Sequence, residues 1–180
     1  AHKDMALASL GALCAMGVTA APFASAKPGG SIVSVALAIR EPVSPQAATG
    51  PVTVTTELRI SAYTTEGDNK ASERSTARVQ LRGGANGDAE YEALSRIELP
   101  PGRFRLRIAA NNVQAEKTGS ATYDVIVPDF RSMPMSLSGV IVSVTPAVPS
   151  APRELFAGLL PVVPTVQREF RNTDRATAYF

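Results

Sequence analysis

The sequence predicts an all-β fold, an antiparallel β-sandwich, on three observations. The first is period-two alternation. Phe104, Leu106, Ile108 and Ala110 alternate with Arg103, Arg105, Arg107 and Ala109, and one apolar side at that period means a half-buried strand. The second is the number of such segments, seven or more, at regular spacing. The third is punctuation. Gly and Pro are frequent, at 13 and 14 residues, which suits short strands joined by turns.

The amino end reads as a short helix and then a strand. Leu7, Leu10, Leu13 and Cys14 share a helical face, Asp4 is a fair N-cap, and Gly17 would end the helix. Residues 18–24 then read as a strand, with Gly29-Gly30 turning into the next. The uncharged stretch 5–26 ends Ala24-Ser25-Ala26 and also fits a secretory leader with a small-residue cleavage site. Gly11, Gly17 and Pro22 make it a poor transmembrane helix. The folded reading is preferred.

Residues 31–40 are rich in Ile and Val, as in a strand covered on both faces. After a Pro- and Gln-containing loop, Val52, Val54, Thr56, Leu58, Ile60 and Ala62 form one side of a strand. Thr53, Thr55, Glu57, Arg59, Ser61 and Tyr63 form the other. Residues 64–72 are polar and read as an exposed loop. Ala77, Val79 and Leu81 mark the next strand. Asn86-Gly87 then signals a hairpin into a return strand over 88–99. In that strand Ala89, Tyr91, Ala93, Ile97 and Leu99 are expected inward. Pro100-Pro101-Gly102 is a tight turn into the alternating strand described first. Ala121, Tyr123, Val125 and Val127 repeat the pattern until Pro128. Residues 137–144 read as a further strand. Residues 145–164 are Pro-rich, with a short apolar turn at 155–160, and residues 176–180 begin another strand pattern.

The domain division expected is helix and strand over 1–30 (or the end of a preceding domain), a sandwich over 31–145, and a Pro-rich connection with a truncated strand region over 146–180. A first residue that is Ala and an unfinished strand at the end point to a piece of a longer chain.

Composition excludes more chemistry than it suggests. The net charge of +2 is too small to imply nucleic acid or an anionic membrane as partner. Cys14 is the one cysteine, so no intrachain disulfide forms, and among Leu10, Leu13 and Met16 it reads as a small buried hydrophobe. His2 is the one histidine, which nearly excludes a histidine-based triad or a multi-histidine metal site.

Three constellations merit weighing. Arg103, Arg105 and Arg107, with Arg59, Arg78 and Arg82, could form a basic patch. A solvated sheet face balanced by Glu57, Glu90, Glu92 and Asp124 explains them as well, and is preferred. Glu90 and Glu92 point the same way as an acid–base pair would, but sit two apart on a strand and read as a solvated pair. Glu66, Asp68 and Asn69, and the Asn86-Gly87-Asp88 turn, offer oxygen atoms to calcium without the EF-hand spacing. No Walker loop, nucleophile elbow or Cys-x-x-Cys is present. The site expectation is therefore no catalytic, cofactor-binding or metal residue.

Five segments carry a family resemblance. They are GVTAAPFASAKPGGSIVSVALAIREP (17–42), YEALSRIELPPGRFRLRIAA (91–110), YDVIVPDF (123–130), SMPMSLSGVIVS (132–143) and LPVVPTVQREFRNTDRATAYF (160–180). In this order they resemble the region downstream of the von Willebrand factor A-like domain in bacterial VWFA-related proteins of the Acidobacteria type. The resemblance implies a helix and the AAPF strand ahead of the sandwich, and an A-type domain upstream. The metal-binding Asp-x-Ser-x-Ser of that A domain is absent from this sequence, so no ligand carries over.

The expectation is then an immunoglobulin- or fibronectin-like antiparallel sandwich with a short N-terminal helix. It is non-catalytic and without cofactor, an accessory domain of a larger exported bacterial protein. Its partners are other domains of the same chain and protein ligands, with no nucleic acid and no membrane span. Two alternatives stay open: a carbohydrate- or ligand-binding module attached to an enzyme, and a free-standing secreted protein with a cleaved leader. The first calls for exposed aromatic residues on one face, and Tyr63 with the few other aromatics gives no such platform.

Overall fold

The computed structural model describes residues 7–8, 14–26, 30–42, 50–81, 88–114, 116–132 and 135–180. His2, Asp4, Leu10, Leu13, Gly29, Arg82 and the Asn86-Gly87 turn lie outside the described residues, as do the side-chain surroundings of Cys14. The strands are β1 (Leu7–Ala8), β2 (Cys14–Ala24), β3 (Ser31–Pro42), β4 (Val52–Tyr63), β5 (Asn69–Leu81) and β6 (Asp88–Leu99). They continue with β7 (Gly102–Asn112), β8 (Lys117–Val127), β9 (Ile141–Thr145), β10 (Ser150–Ala151) and β11 (Arg175–Tyr179).

Two main sheets stack. One has the order β1-β8-β7-β4-β5, the other β10-β6-β3-β2, and β11 pairs with β9 in a separate two-stranded ribbon. The long pairings are antiparallel. Alternation puts Leu58, Ile60, Ala62, Leu106 and Ile108 of the first sheet against Val33, Val35, Leu37, Tyr91 and Ile97 of the second. Every one of these is at most 3% exposed, so the inward sides read from the sequence are the inward sides of the molecule.

A second core lies on the far side of β3. Ala36 and Leu94 point away from the sandwich and are nonetheless buried, together with Ala21 and Phe23 of β2. Ile141, Phe156 and Leu160 cover them. The C-terminal segment is thus a strap across the outer face of the four-stranded sheet. It is tied there by two main-chain bonds, Gly139 N–H to Pro22 O (2.7 Å) and Glu92 N–H to Pro149 O (2.8 Å), and Thr165 N–H to Val142 O (2.8 Å) holds the strap to itself. β3, buried on both faces, has the environment its continuous apolar run predicts.

Three expectations are corrected. The first is the N-terminal helix. The described residues hold no helix beyond a single 3-10 turn at Arg153–Phe156. Leu7–Ala8 pairs with Ala121 and Ser120, and β2 is already paired with β3 from Cys14. A short helix must meet the full entropy of its nucleus, whereas β3 offers a ready row of main-chain partners. Gly17, expected as a helix end, sits where the register with β3 slips between Ala15 and Gly17, a bulge.

The second is the hairpin after Leu81. β5 and β6 do not pair: β5 borders β4 in one sheet, and β6 borders β3 in the other. The chain crosses between sheets there, because β6 satisfies its main chain against β3 over its whole length, Ser31↔Leu99 to Pro42↔Asp88.

The third is the polar loop 64–72. It is shorter, since β5 begins at Asn69. Thr64 N–H donates to Asp68 O (2.9 Å), and Gly67 accepts a φ of +97° that other residues resist. The first half of β5 is wet on both faces at a sheet edge, which is why its sequence is polar without alternation.

Candidate functional site

The carboxylates of β6 are the natural place to look for chemistry, and the structure separates them. Both Glu90 and Glu92 project from the outer face of the four-stranded sheet. Glu90 stays exposed and pairs with Arg40 directly across the strands, Arg40 Nε lying 2.7 Å from Oε1. Glu92 is 3% exposed because the strap closes over it. Its Oε1 accepts from Thr165 Oγ1 (2.6 Å) and from the Val166 N–H (2.8 Å). Burial pushes the Glu92 carboxyl above its ordinary range, while these two donors and the charge of Arg168 pull the other way. Arg168 itself is spread over Thr19 Oγ1 (3.2 Å) and the Thr165 carbonyl (3.1 Å). The expected solvated pair is therefore corrected: one member is solvated, the other is the pin of the strap.

The expected balance of the basic face is corrected with it. Glu90 and Glu92 belong to the other sheet, so they balance no arginine of β7. On the five-stranded sheet Arg105 grips Asp124 with both arms, Nε to Oδ1 at 2.8 Å and a terminal nitrogen to Oδ2 at 3.2 Å. This contact raises the Arg105 pKa and holds Asp124 below its ordinary range. Arg107 instead stacks over the Tyr63 ring, 4.8 Å from its centre. Arg59, Arg78 and Arg103 are exposed on the same sheet.

The loop after β4 is held by its own side chains. Thr65 Oγ1 donates to Glu66 Oε1 (2.7 Å), lowering the Glu66 pKa, and Lys70 lies 3.9 Å from Asp68. Asp88 opens β6 opposite Pro42 and is exposed. Among the described residues no three His, Cys, Asp or Glu side chains come together as a metal-holding group.

One polar cluster escapes sequence reasoning. Between the sheets, Glu41 (2% exposed) accepts from Asn112 Nδ2 at 2.6 Å, and Tyr91 Oη lies 2.7 Å from Thr56 Oγ1. Burial raises the Tyr91 pKa, the Thr56 bond opposes it, and the charge of Glu41 adds to it. Each residue sits at an inward position of its strand, which was the available signal: Glu41 continues Val33, Val35, Leu37 and Ile39, and Asn112 continues Leu106, Ile108 and Ala110. The four close the end of the sandwich with satisfied hydrogen bonds.

No family model matches the chain, and no curated protein does. Among solved structures, Bacteroides uniformis beta-glucuronidase matches over 64% of this chain, with a TM-score of 0.39 and 11% identity. The Bacteroides uniformis beta-glucuronidase 2 covalently bound to cyclophellitol-6-carboxylate aziridine matches over the same share, with a TM-score of 0.38 and 11% identity. The match spans 13% of each of those chains. Among the described residues, no helix is long and apolar enough to cross a membrane.

Proposed function

We propose that this chain is a non-catalytic accessory β-sandwich, immunoglobulin- or fibronectin-like, of a larger exported bacterial VWFA-related protein. Its role is structural or protein-binding, next to an A-type domain upstream. The sequence resemblance supplies the family. The observation that carries the non-catalytic part is the use made of Glu92. The one buried carboxylate of the candidate acid–base pair is spent on Thr165 and Val166, under a strap that keeps substrate away from it. The polar groups with partners hold strands, loops and strap in place, as a rigid frame for presenting surface requires.

Reading the coding sequence upstream of Ala1 tests the proposal. An A-type domain bearing Asp-x-Ser-x-Ser is expected there, and the purified sandwich should bind that domain in calorimetry. An upstream region without such a domain overturns the assignment. Substrate turnover by this segment that Glu92→Gln abolishes overturns the non-catalytic reading.

A further inference from the structure

The outer face of the five-stranded sheet carries more positive charge than it neutralises. Arg105 has Asp124 directly across the strands, and the two form a bidentate pair. Two residues along, Arg107 has Thr122 in the corresponding position. On the next strand Arg59 stands directly opposite Arg74 of β5. Like charges in that position repel. Arg59, Arg74 and Arg107 are exposed, and none forms an ion pair among the described residues.

Small side chains lie between them. Ser61, Ala109, Ser120 and Thr122 floor a shallow depression of about 340 Å³, walled by Arg59, Arg107 and Tyr63. Its rim is cationic and its floor offers hydroxyl groups. Arg105 and Asp124 show on the same face, one step along the strand, how a carboxylate is seated there.

We propose that this depression is a docking site for an extended acidic segment of a partner protein, whose carboxylates are gripped by Arg59 and Arg107 in its wall and by Arg74 beyond it, opposite Arg59 on the edge strand. It deepens the protein-binding reading above and rests on it. Three features select a polypeptide. The site is an open sheet face, not a closed pocket. Its cations sit on outward positions of three neighbouring strands, Arg107 on β7, Arg59 on β4 and Arg74 on β5, so a segment laid across the strands can present carboxylates to all three. Arginine forks take carboxylates two-handed, as lysine cannot. Binding would also relieve the Arg59–Arg74 repulsion, so the anion is favoured by what it removes as well as by what it adds.

The probe is a short fluorescein-labelled peptide of alternating Glu and Thr, followed by anisotropy at low salt with the intact chain. The unsubstituted protein should bind it, and the double change Arg59→Gln, Arg107→Gln should weaken binding by at least about tenfold, with a shallower salt dependence. Arg175→Gln, on the separate ribbon, should leave it unchanged. Thr122→Asp serves as a second variant that adds charge without removing an arginine. By giving Arg107 a partner in the manner of Arg105, it should weaken binding comparably. Absence of peptide binding, or binding indifferent to the arginine and Thr122 changes, overturns the proposal. An oligogalacturonate held more tightly than the peptide by the same arginines reassigns the site to saccharides. None of these outcomes depends on whether an A-type domain lies upstream, so failure here is distinct from failure of the family assignment.

Discussion

Thr165 donates its hydroxyl proton to Glu92 across 73 positions of chain, at 2.6 Å. This bond, with the Val166 N–H beside it, pins the strap over the middle of the outer face of β6, where Glu92 and Leu94 are buried. It also makes strap and sheet respond to pH together.

The sign follows from the raised Glu92 pKa. As pH falls through the folded value toward the ordinary glutamate range, the native state takes up its proton before the unfolded chain does. Glu92 therefore contributes stability on acidification and loses it as pH rises. Glu92→Gln keeps an acceptor for Thr165 and Val166 without the buried charge. It should be more stable than the parent at neutral pH, with the gap closing toward acid. Glu92→Ala leaves the Val166 N–H unpartnered and should cost about 1–3 kcal/mol. Urea titrations over a pH series measure both, and a gap that widens toward acid contradicts the account.

Gly139 marks a close approach of strap and sheet. A Cβ there would lie 2.7 Å from both Ala21 Cβ and Pro22 Cδ. Gly139→Ala should destabilise by about 1–3 kcal/mol, the ordinary range for overpacking. Gly50, where a Cβ would meet nothing within 4 Å, serves as the control. Gly50→Ala should move stability by less than about 0.5 kcal/mol.

The two faces of β4 and β7 should differ sharply in denaturant titrations. Leu58 is 3% exposed and Leu106 fully buried, so replacing either by Ala should cost about 2–5 kcal/mol. Arg59→Ala should change stability by less than about 1 kcal/mol. The exposed Arg105–Asp124 pair sets the same bound for Arg105→Ala. A larger loss at the arginines would mean an inverted register.

Hydrogen exchange should show slow amides at Thr19, Ala21 and Phe23, the alternate residues of β2 whose N–H groups face β3. β2 is paired with β3 from Val18↔Leu37 to Phe23↔Ile32, and Val18, Ala21 and Phe23 are buried. Pro22 has no amide to report. Fast exchange at these three positions would show that β2 is not a stable member of the sheet.

Strands that alternate were legible because one face meets the core. β6 spans residues 88–99 as read, and the inward sides of β4, β7 and β8 are those expected. What escaped was governed by partners far away in the chain. Whether Leu81 leads into a hairpin or a crossing depends on β3 competing for β6, and nothing local to residues 82–87 records that. Glu92 looked solvated because its cover arrives from Thr165 and Val166. One sign was on the strand itself: Leu94 is apolar at an outward position, which alternation alone does not explain. At the amino end, helical spacing of a few weakly apolar residues competed with a long open strand, and the strand prevailed.

Pro22 and Gly139 have a consequence for self-association. β2 is the outermost strand of its sheet, the position at which a foreign strand would add. In an antiparallel ladder a residue turns its N–H and C=O to the same side. At Pro22 that side has no proton to give, and its oxygen is already bound to Gly139. A second molecule arriving at this edge meets a gap in both halves of the hydrogen-bonding pattern at Pro22, within the run it would need to zip. The strap therefore acts as a chain terminator for sheet growth. Gly139→Ala, by crowding this contact, should loosen the strap and show as strand-mediated aggregation at concentrations where the parent stays in solution.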